Sequence, residues 1–262
     1  MNTSSKCLNC DHEMNHNYCS NCGQKTAIHR ITFKHFISHD VLHGLFHLEK
    51  GMLYTAKEVL TRPGKAALDY IEGKRIRYYN VFYFILILIG LNLFLNGYYD
   101  KFYEYYISKF PEHLNIVQTK LDKFIHENAK IIIFSVVPIL ALNGAILFRK
   151  RKLNLSEHFI IAAFTFLGIL LIVTANNILS FFDFVKHLDF ISDFSGFITT
   201  IAIFTLTTIS YYQTFKEYYK KGSFIIRIFL FATLLIIELV IFSILLIGYT
   251  TNWLFSDFTY QF

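Results

Sequence analysis

Five stretches of this chain are apolar over a length that crosses a bilayer: roughly residues 79–97, 130–148, 158–182, 194–212 and 224–249. A helix needs about 20 such residues to span about 30 Å of hydrocarbon, so the pattern predicts an all-α polytopic membrane protein with five transmembrane helices. Thr199, Thr200, Thr205, Thr207, Thr208 and Ser210 dilute the fourth stretch, and Pro138 is expected to kink the second. Ahead of the spans, residues 31–61 follow a helical period. Ile37, Val41, Leu42, Leu45, Phe46, Leu48, Met52, Leu53, Val59 and Leu60 fall on roughly half of a helical circumference. They predict one amphipathic helix packed at the membrane interface and stopped by Thr61-Arg62-Pro63-Gly64. A shorter helical pattern, Leu114, Val117, Leu121 and Phe124, predicts a small amphipathic helix in the 98–129 connection.

Charge orients the spans. Arg62, Lys65, Lys74, Arg75 and Arg77 precede the first, Arg149-Lys150-Arg151-Lys152 joins the second to the third, and Lys216, Lys220, Lys221 and Arg227 join the fourth to the fifth. The 98–129 connection is balanced, and the 183–193 connection carries Asp183, Asp189 and Asp193 against Lys186. Every second connection is basic, which predicts a cytoplasmic N-terminus and an extracytoplasmic C-terminus. The net charge of +6 then reflects topology and contact with anionic headgroups. Composition agrees: mean hydropathy is +0.40 and only 17% of residues are charged. The polar N-terminus has no apolar run of the kind a cleavable signal peptide needs.

That polar N-terminus holds all four cysteines, as Cys7-x2-Cys10 and Cys19-x2-Cys22. Each pair makes a knuckle whose thiolates converge, and two knuckles supply the ligands of a closed tetrahedral Zn2+ site. Two disulfides are the alternative, but a cytosolic location disfavours them. About thirty residues bury too little surface to fold alone, so metal would supply much of the folding free energy. Four thiolates leave no open coordination position, which indicates a structural ion. His12 and His16 read as loop residues. With Lys6 and Lys25 the only cations in residues 1–25, nucleic acid is disfavoured as a partner. The expected organisation is a zinc-ribbon head over 1–28, an amphipathic juxtamembrane helix with a basic segment over 29–78, and a transmembrane bundle over 79–262.

Three further groups are candidates. His35, His39, His43 and His47 recur every four residues along the edge of the amphipathic helix. That stripe can face solvent or headgroups, titrate near neutral pH, or bind a second metal. Lys74, Arg75 and Arg77, interleaved with Tyr70, Tyr78 and Tyr79, suit an anionic headgroup layer or a specific phospholipid pocket. Glu238 stands alone near the middle of the fifth span, with Asn92 and Asn176 at comparable depth as hydrogen-bonding partners. It can bond helices together, relay protons or ions, or meet another subunit.

The run Tyr18-Cys-Ser-Asn-Cys22-Gly-Gln, an intervening helix, Arg62-Pro-Gly64 and Gly73-Lys-Arg75-x-Arg77-Tyr78 resembles an uncharacterised bacterial family, DUF3667. Its members look like integral membrane proteins with an N-terminal zinc ribbon. The resemblance covers roughly residues 7–90 and implies no activity or catalytic residues. No phosphate loop, nucleophile elbow, His-Glu-x-x-His or paired carboxylates appear in the sequence. The pattern therefore points to a non-enzymatic inner-membrane protein whose cytosolic ribbon docks an unidentified protein partner. A small transporter or channel using Glu238, and a lipid-acting membrane enzyme, are the second and third readings.

Overall fold

The computed structural model describes residues 6–13, 16–25, 51–109, 120–185 and 188–250. Among the described residues the regular structure is helical, with β pairing confined to single bridges between Lys6 and Glu13 and between Tyr18 and Lys25. The helices are α1 (Gly51–Thr61), α2 (Pro63–Ile71), α3 (Val81–Lys109), α4 (Lys120–Leu147), α5 (Leu155–Leu179), α6 (Asp189–Phe215) and α7 (Lys221–Thr250). Among the described residues, four segments are long and apolar enough to cross a membrane: Val81–Tyr106, Leu155–Phe184, Phe190–Tyr218 and Lys221–Leu245. The stretch expected as a second span lies in α4, where the apolar run Ile133–Leu147 is shorter.

Local chemistry sets the helix starts. Asn154 caps α5 by accepting from the Glu157 backbone N–H at 2.8 Å, and the Glu157 carboxylate accepts from the Asn154 N–H at 2.8 Å. This capping box places Glu157 at the helix N-terminus, where a negative charge is favourable. Asn80 similarly takes the N–H groups of Phe82 and Tyr83 at the start of α3. Pro63 occupies the first turn of α2, where its missing N–H would have no helical partner. The Pro-Gly pair thus stops one helix and begins the next.

α5 is the central helix, packed against α3, α4, α6 and both short helices. Of the amphipathic helix expected over 31–61, the described part is α1, one arm of an α1–α2 hairpin. Residues 31–50 lie outside the described residues, but α1 is sunk into the bundle with Thr55, Glu58 and Val59 buried. A Cβ on Gly168 would meet the Val59 carbonyl oxygen at 3.0 Å, and Leu60 lines a hollow with Ile172, Ile198 and Ile201. Gly168 is about 20 Å along the axis from the start of α5, so the hairpin tip reaches the middle of the candidate spans. α2 returns along α6. A side chain on Gly64 would run into the carbonyl oxygen of Ser210 and lie 2.7 Å from the Thr214 hydroxyl.

The polar residues that dilute the fourth apolar stretch are accommodated. Thr165 and Ser210 share a 2.6 Å hydrogen bond between α5 and α6, while Thr207 and Thr214 bond carbonyls one turn back. The ends of the bundle are aromatic. Phe148 stacks on Phe215 at 4.5 Å, and the fully buried Tyr211 gives its hydroxyl to the Leu140 carbonyl at 2.6 Å. At the other end Tyr99 packs against Phe181 and Phe184 and bonds Asp183 at 2.7 Å. α3 continues through residues 98–109, which the sequence pattern assigns to a loop. Of the small helix expected there, Leu114 and Val117 lie outside the described residues, and Leu121 and Phe124 belong to α4.

The close approach at Gly64 sets a test. Gly64→Ala should lower the melting temperature of the detergent-solubilised protein, because overpacking of this kind costs about 1–3 kcal/mol. Gly90→Ala, which meets nothing within 4 Å, should leave it unchanged or raise it slightly.

Candidate metal centre and its seat on the helices

The two knuckles are built alike. The Cys7 N–H donates to the His12 carbonyl at 2.8 Å, and the Asp11 N–H returns to the Cys7 carbonyl at 2.9 Å. Twelve positions later, the Cys19 N–H donates to Gln24 at 2.8 Å and the Gly23 N–H returns to Cys19 at 2.8 Å. The fold-back needs a left-handed residue after the second cysteine, supplied by Asp11 at φ 57° and Gly23 at φ 75°. Glycine adopts it freely, and aspartate tolerates it.

This geometry gathers all four sulfurs within 4.8 Å of one another. Cys7 lies 3.6 Å from Cys22, and Cys10 lies 3.6 Å from Cys19, with all four thiols free. A disulfide needs about 2.05 Å, whereas tetrahedral Zn2+ with Zn–S bonds of about 2.3 Å places its sulfurs about 3.8 Å apart. The donor set and its spacing therefore fit one metal ion. Burial pushes the Cys7 thiol up to about 11, while the backbone N–H of His12 draws the Cys10 thiol down to about 6. A cation at their centre would hold both as thiolates and release protons on binding.

Both knuckles rest on the loop between α2 and α3. Gln24, buried, spans it by donating to the Gly73 carbonyl at 3.0 Å and accepting from the Ile76 N–H at 3.1 Å. Arg77 reaches the first knuckle, donating to the Asn9 side-chain oxygen at 2.8 Å and to its carbonyl at 2.7 Å. Behind the loop, Lys74 pairs with Asp69 at 2.7 Å, Tyr78 donates to Asp69 at 3.2 Å, and Arg62 pairs with Asp69 at 3.4 Å and with Glu58. Arg75 donates through Nε to the Tyr70 carbonyl and lies 5.6 Å over the Tyr70 ring. Glu72 meets Arg151 at 3.2 Å, tying the same segment to the turn between α4 and α5.

The three cations read as a group from sequence thus have separate partners: Asp69 for Lys74, Tyr70 for Arg75 and Asn9 for Arg77. The structure also separates Glu238 from the asparagines placed at its depth. Glu238 accepts from Asn143 on α4 at 2.9 Å. Asn92 donates to Thr174 and accepts from Asn177, while Asn176 accepts from Ser195 and Thr199. Each asparagine joins two helices. His35, His39, His43 and His47 lie outside the described residues. Sequence reasoning missed Gln24, Asn9 and the Glu58–Arg62–Asp69 cluster. The available signal was an amide beside each cysteine pair and acids spaced one and two turns from Arg62.

Residues 49–91 match the family model described as "Protein of unknown function (DUF3667)". The match takes in the whole hairpin, the Gly73–Arg77 loop and the first turns of α3, and it leaves the four cysteines ahead of it. No curated protein and no solved structure matches the chain.

Gln24 is the sharpest test of the seat. Gln24→Ala should leave metal binding intact while exposing the loop. The Ile76 amide should then exchange with solvent deuterium about 10- to 100-fold faster, the loss expected for one buried polar group left unpaired.

Proposed function

We propose that this chain is a non-enzymatic, five-span protein of a bacterial inner membrane whose Zn2+-loaded cytoplasmic ribbon docks or regulates a protein partner. The observation carrying this reading is the seating of both knuckles on Gly73–Arg77 through Gln24 and Arg77. A closed four-sulfur site suits a structural ion, and the reducing cytosol keeps its ligands as thiols. The head, residues 1–28, is joined to the bundle, residues 79–262, by the segment 29–78 that contains the hairpin.

The orientation is supported by where cations and aromatics collect. Lys150 and Arg227 lie over Tyr219, Arg151 over Tyr218 and Lys216 over Tyr212, all at the end of the bundle that carries the ribbon. Cations paired with tyrosines favour an anionic headgroup layer, which makes that end cytoplasmic and anionic lipid a partner of the bundle. α4 runs for 28 residues, long enough to serve as the fifth span and to put the C-terminus outside. In this frame α1 and α2 form a re-entrant hairpin that enters and leaves on the ribbon side. The hydrogen bond between Glu238 and Asn143 favours a helix-joining role for that carboxyl over transport.

Purified protein should carry about one Zn2+ per chain, matching its single four-thiolate cluster. Less than half an equivalent would count decisively against the ribbon. Cys19→Ser with Cys22→Ser should remove the metal and abolish any partner crosslinked to the head in native membranes. The hairpin has its own test. With Trp253→Phe removing the one native tryptophan, Leu60→Trp should be quenched most by lipids brominated near the bilayer centre. Strongest quenching by bromines at the headgroup end would place α1 at the interface instead.

A further inference from the structure

Between α3, α4 and α5 lies a cavity of about 270 Å³, walled by Tyr70, Phe82, Phe134, Pro138, Phe159 and Phe166 among others. Its surface is almost wholly apolar. The polar side chains at its boundary, Asn80 and Ser156, both sit where their helices begin, at the ribbon-side end. From Ser156 to Phe166 the cavity runs about 15 Å along α5, half of the roughly 30 Å hydrocarbon core. It is therefore about as deep as one leaflet. Phe134, in its wall, is more than half exposed, so the cavity communicates with the outer surface of the bundle.

An apolar cleft of one-leaflet depth, reached from the lipid-facing side, suits an acyl chain in shape and chemistry. The rim supplies the selectivity. Tyr70 lines the cavity, and Arg75 stacks 5.6 Å over the Tyr70 ring. The bond from Arg75 Nε to the Tyr70 carbonyl holds the guanidinium's positive charge beside the ring that walls the cavity. We propose that this cavity holds one tail of an anionic phospholipid from the ribbon-side leaflet, with the phosphate against Arg75. The proposal rests on the membrane placement of the spans and is independent of the metal in the ribbon. It also connects the two, because Tyr70 and Arg75 belong to the segment on which the ribbon sits.

The test uses full-length protein in nanodiscs of equal phosphatidylglycerol and phosphatidylcholine, released into native mass spectrometry. Wild-type protein should retain phosphatidylglycerol. Ala163→Trp, which fills the cavity from α5, should lose the retained lipid while keeping its metal and helix content. Arg75→Ala should keep a lipid but lose about fivefold of its preference for the anionic headgroup, the value of one cation near a charged surface. No retained lipid in wild type, equal retention in Ala163→Trp, or an unchanged headgroup preference in Arg75→Ala would each overturn the assignment. Should Ala163→Trp fail to fold, phosphatidylglycerol with a photoreactive tail decides the matter on wild-type protein. Labelling within 133–138 or 159–166 is expected. Labelling confined to the exposed face of α7 would overturn the proposal. Wild-type protein that carries Zn2+ but retains no lipid would defeat this site alone and leave the proposed function standing.

Discussion

Two helices too short to cross a bilayer must nevertheless be covered, and much of this architecture follows from how that is done. α1 has 11 residues and α2 has 9. The longer rises only about 17 Å, while the hydrocarbon core is about 30 Å. On the proposed membrane placement, a chain that goes halfway in must turn round there, with every backbone polar group satisfied inside the protein. The turn manages this through a proline with no N–H to satisfy, an Arg62 N–H donating to Glu58 at 2.8 Å, and an Ala66 N–H donating to Arg62 at 3.0 Å. Gly64 and Gly168 then let backbone lie directly on neighbouring helices, so protein covers Pro63 and Gly64 while Leu60, Thr61 and Lys65 stay exposed.

The same constraint governs the charges. Glu58 is buried and Asp69 nearly so, while Arg62 is bracketed by both. A buried ion pair adds little net stability over an apolar pair, yet losing one partner leaves an uncompensated charge worth about 3–5 kcal/mol. The cluster therefore specifies one arrangement of the hairpin more than it strengthens it. Lys74 completes the set on Asp69, and it lies in the loop that receives the ribbon. Hairpin geometry and ribbon seating share a residue.

Much of this was legible in the sequence, for identifiable reasons. Apolar runs report burial in either lipid or protein, so four of the five stretches reappear as candidate spans. The cysteines were legible because knuckle spacing fixes thiol geometry locally, without help from the rest of the chain. The hairpin was not, because an amphipathic helix looks the same whether its polar face meets water or a buried ion-pair partner. Thr61-Arg62-Pro63-Gly64 reads as a stop, and α1 does end at Thr61; the packing on Ser210 and Gly168 shows that the chain turns back there into a second helix. Glu238 was paired by depth counted along separate helices. Depth alone does not reveal which helices adjoin, and α7 packs on α4, so Asn143 takes the place assigned to Asn92 or Asn176.

What remains is the meaning of residues 70–77, where four elements converge. The segment accepts the ribbon through Gly73, Ile76 and Arg77, holds the hairpin through Lys74, and binds the turn between α4 and α5 through Glu72. Through Tyr70 it also forms one wall of the apolar cavity. A rigid join of this kind makes the sites energetically dependent on one another. An event that loosens the knuckles withdraws Gln24 and Asn9 together and frees the loop that positions Arg75 and Tyr70. Linkage requires the converse: whatever stabilises Tyr70 and Arg75 in place must tighten the seat of the ribbon by the same free energy. The family match spans this segment and the hairpin rather than the cysteines. The matched segment is thus the join itself, on which the ribbon, the hairpin and the cavity wall all bear.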